Sequence, residues 1–271
     1  MKHWTLDQIP WSAFDATKVD PEIVKVIKAA AVVEYNGADY ATYLCRVFDD
    51  APEFQAMIRN WAAEEVQHGA ALARWAKLAD PDFDFDASFK HFTEGYNNQL
   101  DVEASVRGTR AGELVARCIV ETGTSSYYAA LNEAADEPVL KRICRNIAAD
   151  ELRHYKMFYA HLDQYLAQEQ LGVWGRFKVA LTRVFESEDD ELAYAYFAAN
   201  HPGETYQRRK YTRAYARRAY RFYRRHHVER GIAMVLKTIG LHPTGWLNRL
   251  LSRTAFWFLE SRARRLAAAN A

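Results

Sequence analysis

Two segments of the sequence contain a glutamate followed three residues later by a histidine. Glu65 and His68 lie in the stretch WAAEEVQH, and Glu151 and His154 lie in the stretch AADELRHY. Helical residues three apart point the same way, so each pair presents a carboxylate and an imidazole to one point. Both groups suit iron or manganese, and the spacing therefore predicts that each pair binds one metal ion. Asp150 is either an acceptor that orients a ligating histidine or a solvated helix acid.

A single glutamate stands one predicted helix before each pair. Glu34 precedes Glu65 by 31 positions, and Glu121 precedes Glu151 by 30 positions. The four carboxylates fall on apolar helix faces, where burial without cations would cost several kcal/mol per charge. Two metal ions would remove this cost. The predicted ligands of a two-metal centre are Glu34, Glu65, His68, Glu121, Glu151 and His154.

Four core helices have to position these side chains. Apolar residues recur at helical spacing over about 20–48, 52–79, 109–134 and 136–168, and residues 81–90 break the pattern as a crossover. Further helical segments cover about 172–200, 204–238 and 243–268, separated by HPG and HPT. The sequence has no alternation typical of strands. It therefore predicts an all-α fold.

The order of the predicted ligands resembles a known arrangement. Ferritin-like bundles bind two iron or manganese ions with one Glu from each of two helices and a Glu-x-x-His from each of the other two. The resemblance implies a ferritin-like four-helix bundle with a di-metal site, plus additional C-terminal helices. On this basis residues 1–170 form the bundle and residues 171–271 a basic helical extension.

Local sequence narrows the resemblance to one family. WAAEEVQHGAAL and ICRNIAADELRHY resemble the two metal-binding segments of acyl-(acyl carrier protein) desaturases, and weaker similarity covers about 20–165. The resemblance implies a di-iron centre, held by the same six residues, that activates O2 and desaturates or hydroxylates a fatty acyl chain. It also implies an acyl carrier protein or other acyl thioester as the substrate. An external ferredoxin-type donor is expected, because no flavin or nicotinamide fingerprint is present.

Three more positions bear on this resemblance. Thr124 lies where the family has a Thr near the oxygen-binding side of the metals, which implies a catalytic role; the alternative is a hydroxyl that bonds its own helix backbone. Trp61 matches a family Trp and is either a core residue or part of an electron path. Gln67 replaces an Arg of the family, which affects electron entry or carrier docking.

Related di-iron proteins have other activities. The alternatives are iron or peroxide handling of the ferroxidase or rubrerythrin type, and a di-iron oxygenase that acts on a non-lipid substrate. The absence of a CxxC pair for a rubredoxin-type iron disfavours the rubrerythrin type. The ligand types leave a mixed manganese–iron pair open.

Composition and cysteine usage indicate the class of protein and its expected cellular location. The chain is 49% hydrophobic and 26% charged, as expected for a protein with a real core. The N-terminal sequence has no secretory signal pattern, and no apolar run has the length of a membrane-spanning helix. Three cysteines without a CxxC pair predict free thiols in a reducing compartment. The cytoplasm is therefore the expected location.

Charge is distributed unevenly along the chain. Residues 201–271 contain sixteen Lys and Arg against three acidic residues, a net charge of +13, whereas the rest carries −12. The run RRKYTRAYARRAYRFYRRHH interleaves arginine and tyrosine. Its expected partners are an acidic carrier protein, an anionic membrane surface, or acidic residues of the same chain or of a homodimer partner. Nucleic acid is the least favoured partner.

Overall fold

All regular secondary structure in the described part of the chain is helical. The computed structural model describes residues 4–96, 102, 104–186 and 190–268. Three short 3-10 helices precede the α-helices, namely Leu6–Gln8, Trp11–Ala13 and Ala16–Lys18. The α-helices are α1 Pro21–Tyr35, α2 Gly37–Val47, α3 Pro52–Ala79, α4 Phe85–Gly95, α5 Arg110–Ala134, α6 Pro138–Glu169, α7 Val173–Glu186, α8 Asp190–Asn200, α9 Arg208–Tyr220, α10 Arg225–Thr238 and α11 Trp246–Ala268. The predicted all-α class is confirmed. Among the described helices, none combines the length and apolarity that crossing a bilayer requires.

The N-terminal helix differs from its prediction. It was expected to run over 20–48, but the chain turns at Asn36 and forms α1 and α2. The Asn36 amide donates to the carbonyl oxygens of Val33 and Glu34, which tightens and ends α1. The start is as predicted, since the Asp20 side chain caps α1 by accepting from the amide of Glu22.

The structure also differs from the predicted crossover at 81–90 and from the predicted helix at 204–238. Six of the ten residues of the predicted crossover at 81–90 belong to α4, because the Asp84 carboxylate accepts from the amide of Ala87 and starts that helix. The predicted helix over 204–238 is interrupted between α9 and α10, where Arg224 is extended and donates its amide to Nδ1 of His227. Residues 187–189 of the predicted helix 172–200 lie outside the described residues.

The chain divides into two compact units. Unit 1 comprises the described residues within Met1–Glu103, Asn132–Asn146 and Glu188–Arg218, and unit 2 those within Ala104–Leu131, Ile147–Ser187 and Ala219–Ala271. In unit 1, α1 packs against α3, α4 and α8. In unit 2, α10 packs against α11. The domain boundary expected at residue 170 stays a prediction.

Part of the basic sequence has an internal role in unit 1. The Arg218 side chain is buried, and its Nε lies 2.9 Å from Oε2 of Glu22 in the first turn of α1. Nη2 of Arg217 lies 3.7 Å from the same oxygen. These contacts match the internal-pairing alternative for these two arginines. External partners of the remaining cations stay predictions.

Candidate metal centre

Unit 1 contains a buried cluster of two carboxylates and one imidazole, here called triad 1: Glu34, Glu65 and His68. Glu34 lies in the last turn of α1, and Glu65 and His68 lie one turn apart on α3. One ligand atom from each residue lies within 4.8 Å of the other two. Oε2 of Glu34 is 3.8 Å from Nδ1 of His68. The structure thus brings these three predicted residues together, and their role as ligands stays a prediction.

Two glycines allow triad 1 to form. A Cβ atom on Gly69 would lie 2.5 Å from the backbone nitrogen of Tyr35, the residue after Glu34. A Cβ atom on Gly37 would lie 2.7 Å from Cβ of Glu65. Both distances are shorter than any side chain tolerates, so only glycine permits this approach of backbones. Gly69 inside a helix, directly after a predicted ligand, was the signal that sequence reasoning overlooked.

The N-terminal segment lies against triad 1. The rings of Trp4 and His68 are parallel within 3°, with centroids 6.0 Å apart. Nε2 of Gln67 donates to the carbonyl oxygen of Trp4 at 3.0 Å. Gln67, at the position of a family Arg, therefore holds this segment beside His68. Trp4 was missed because it lies far from His68 in sequence and outside any periodic pattern.

Glu191 on α8 is a further acidic residue of unit 1 that sequence reasoning missed. The Tyr40 hydroxyl on α2 donates a hydrogen bond to Oε1 of Glu191. Burial raises the pKa of Glu191 to about 7, and the charge of Glu34 acts in the same direction. Glu191 therefore adds a proton-holding group to the surroundings of Glu34.

Unit 2 contains a second cluster of the same composition, here called triad 2: Glu121, Glu151 and His154. One ligand atom from each residue again lies within 4.8 Å of the other two. Nδ1 of His154 is 3.5 Å from Oε2 of Glu121 and 3.8 Å from Oε2 of Glu151. Burial raises the pKa of Glu121 to about 8, and the charge of Glu151 raises it as well. The structure brings these three predicted residues together, and ligation stays a prediction.

Thr124 contacts triad 2 directly. Its hydroxyl lies 2.6 Å from Oε2 of Glu151, to which it donates. Oγ1 of Thr124 is also 3.2 Å from the carbonyl oxygen of Val120 and 3.3 Å from that of Glu121. The shortest contact is with Glu151, so the helix backbone is the secondary partner of this hydroxyl. A catalytic role for Thr124 stays a prediction.

Two neighbouring residues are buried. Asp150 is not a solvated acid, because its carboxylate is buried and forms an ion pair with Arg153 one turn later. Its other predicted role, as acceptor for a ligating histidine, stays a prediction. Trp61 is buried on α3 and is therefore a core residue of unit 1. A role for Trp61 in an electron path stays a prediction.

The donor sets fit metal ions. Each triad offers two carboxylates and one imidazole, a combination suited to iron or manganese. The raised pKa of Glu121 reflects the cost of burying carboxylates close together. A bound cation would offset this cost and favour the ionised carboxylates. Either triad by itself therefore has the chemistry of half of a two-metal site.

The helical fold and the buried Glu/His clusters define a class: all-α proteins with carboxylate–histidine sites able to hold metal ions. A family model described as fatty acid desaturase matches residues 46–183, just over half of the chain. The chain therefore belongs to this fatty acid desaturase family, which confirms the resemblance indicated by its two Glu-x-x-His segments. The match includes Thr124 and every predicted ligand except Glu34. No curated protein matches the chain.

Proposed function

We propose that the chain is an O2-dependent di-iron oxidase that desaturates, or hydroxylates, a fatty acyl chain carried on acyl carrier protein or a similar thioester. Membership of the fatty acid desaturase family is the observation that carries this proposal. The composition of the two triads supports it, because each offers the donors that iron prefers.

In this proposal triad 1 holds one iron ion and triad 2 the other, with a manganese–iron pair as the alternative. Bound iron supplies the reduction of O2 and the oxidising power that an unactivated C–H bond requires. The two Glu-x-x-His pairs provide most of the ligands. Glu34 and Glu121 complete the donor sets, one in each unit.

The residues around triad 2 would control orientation and water. The Thr124 hydroxyl donates to Oε2 of Glu151 and so fixes the direction of that carboxylate. The proton on Oγ1 of Thr124 is therefore held next to triad 2. Leu114, Cys118 and Phe158 are fully buried in unit 2 and would provide apolar surroundings. Such surroundings keep water from a reactive site.

Electrons would come from an external ferredoxin-type donor. The sequence has no nicotinamide or flavin fingerprint. The family Arg before the first ligating His is replaced by Gln67, whose side chain is engaged with Trp4. The docking of the donor or carrier would therefore use other cations of this chain.

Intact mass spectrometry of the acyl substrate tests the proposal. Fe(II)-loaded protein is incubated with O2, ferredoxin, ferredoxin reductase, NADPH and acyl carrier proteins bearing chains of different length. Loss of two hydrogens identifies a desaturase, and gain of one oxygen atom identifies a hydroxylase. Metal-free protein is the control. Unchanged substrates together with rapid Fe(II) oxidation would contradict the proposal and favour a ferroxidase.

A further inference from the structure

Helix α11 buries a polar face. Asn248 and Ser252 are buried one turn apart. Nδ2 of Asn248 donates to the carbonyl oxygen of Pro243 at 2.7 Å, and the Ser252 hydroxyl donates to Oδ1 of Asn248 at 2.9 Å. A helix on a protein surface normally buries its apolar stripe and exposes its polar one. Helix α11 departs from this rule where Asn248 and Ser252 are buried.

The opposite face of α11 exposes large apolar side chains. Trp246 and Trp257 have exposed fractions of 71% and 63%, and Leu250 between them is exposed as well. At about 100° per residue these three side chains fall within about 40° of one another. Exposed apolar residues that share one face mark an interaction site rather than ordinary surface. These three residues are here called the α11 stripe.

Cations surround the α11 stripe. Arg249 and Arg253 are exposed and lie within about 60° of Trp246 on the helix. Arg264 and Arg265 are exposed near the C-terminal end of the helix. The helix contains five arginines and one acidic residue, Glu260. The exposed face thus combines tryptophan, leucine and arginine.

We propose that α11 binds the surface of an anionic lipid bilayer. Tryptophan and leucine side chains would enter the boundary between headgroups and acyl chains, which tryptophan favours because its ring is apolar and its N–H is polar. The arginines beside the stripe would contact the anionic headgroups. An acidic protein would satisfy the arginines but would not require the tryptophans. The proposal concerns binding alone and does not depend on the proposed enzymatic function.

Helix α7 provides a matched comparison within unit 2. Trp174 and Phe185 have exposed fractions of 83% and 73%, slightly more than the two tryptophans of α11. The arginines of α7 are turned away from this apolar face. Nη1 of Arg183 lies 4.0 Å from Oε2 of Glu186, and the Arg176 guanidinium lies against Gly240. Helix α7 therefore exposes aromatic surface with one cation, Lys178, and no arginine beside it.

Vesicle sedimentation of the full chain tests the proposal. One set of vesicles contains phosphatidylcholine alone, and the other mixes it with phosphatidylglycerol. The protein is expected to sediment with the mixed vesicles and to dissociate as salt is raised. The double substitutions Trp246→Ser with Trp257→Ser, and Arg249→Glu with Arg253→Glu, are each expected to lower partitioning about tenfold or more. The Trp246→Phe with Trp257→Phe variant should retain most of the binding.

The α7 variant, Trp174→Ser with Phe185→Ser, is the control and should change partitioning less than the α11 serine variant, because α7 has a single exposed lysine, Lys178, beside its aromatic side chains, whereas two arginines lie beside the α11 stripe. Far-UV circular dichroism checks folding, and if the serine variant of α11 unfolds, the arginine and phenylalanine variants carry the test. Three results would overturn the proposal. These are no sedimentation with mixed vesicles, equal losses for α7 and α11, or an α11 effect seen only on binding to acyl carrier protein.

Discussion

Triad 1 and triad 2 offer the same donors but are supported in different ways. The two carboxylates of triad 2 are each 1% exposed, whereas Glu34 and Glu65 are 7% and 8% exposed. In triad 2 the support is a hydrogen bond from Thr124, one turn from Glu121. In triad 1 it is the glycine-dependent approach of α1 and α3, with Trp4 beside His68. One ligand pattern can thus rest on a side-chain contact in one place and on backbone packing in another.

Removing a predicted ligand from either triad should have the largest effect. Glu65→Ala and Glu151→Ala are each expected to lower iron affinity by more than about 100-fold, beyond the usual cost of losing a residue that only supports a ligand. Iron content by plasma mass spectrometry measures this. Glu64→Ala is the matched control, since Glu64 points about 100° away from Glu65 on the same helix. Retention of two irons per chain by either ligand variant would show that the triads are not the metal site.

Two glycine substitutions test whether triad 1 depends on close backbone packing. Gly69→Ala should destabilise the protein by about 1–3 kcal/mol, because the new methyl group meets the backbone of Tyr35. Gly123→Ala on α5 should stabilise it by about 0.5–1 kcal/mol, because that position is open and helical. Urea unfolding measures both free energies. Equal effects at the two sites would contradict the assigned role of backbone packing in triad 1.

The Thr124 hydroxyl tests the side-chain support of triad 2. Thr124→Val keeps the shape but removes the donor to Glu151, and should lower turnover or iron affinity about tenfold. Thr124→Ser keeps the donor and should stay close to the wild type. The iron absorption spectrum and kcat distinguish the two variants. If valine and serine behaved alike, the contact with Glu151 would have no functional part.

The pH dependence of the metal-free protein should be the smallest effect. Folding raises the pKa of Glu121 from 4.5 to about 8 and that of Glu191 from 4.5 to about 7. The folded state therefore holds these protons more tightly, so this contribution to stability is present at acidic pH and is lost as the pH rises through these values. The melting temperature in EDTA should therefore fall as the pH is raised from about 5 to 8.

Glutamine variants show how much of this loss of stability comes from Glu121 in unit 2 and how much from Glu191 in unit 1. Glu121→Gln should remove the loss of stability between about pH 7 and 8, whereas Glu191→Gln should reduce only the loss below about pH 7. Iron loading should abolish the contribution of Glu121, because a ligand carboxylate remains ionised. A melting temperature that rises over this range in the metal-free protein would contradict the prediction.

The features that the sequence predicted correctly depend on local patterns. Helix α3 has its predicted bounds, 52–79, because apolar periodicity and flanking prolines specify it within one segment. The members of each triad follow from spacing within and between adjacent helices. Trp4 and Glu191 were not predicted, since their positions depend on packing between distant segments. The exposed apolar faces of α7 and α11 were also not predicted, because periodicity does not tell which face of a helix turns outward.

The pairing of α1 with α8 has a consequence for how the chain is made. Nδ2 of Asn200 donates to the carbonyl oxygen of Lys25 across 175 residues of sequence. At a synthesis rate of about 5–20 residues per second, α1 would wait roughly 9–35 s for α8 to emerge from the ribosome. During that time part of its apolar surface lacks a native neighbour, which makes it a target for chaperones. Triad 1 is complete in sequence by residue 68, but its scaffold would become stable only late in translation.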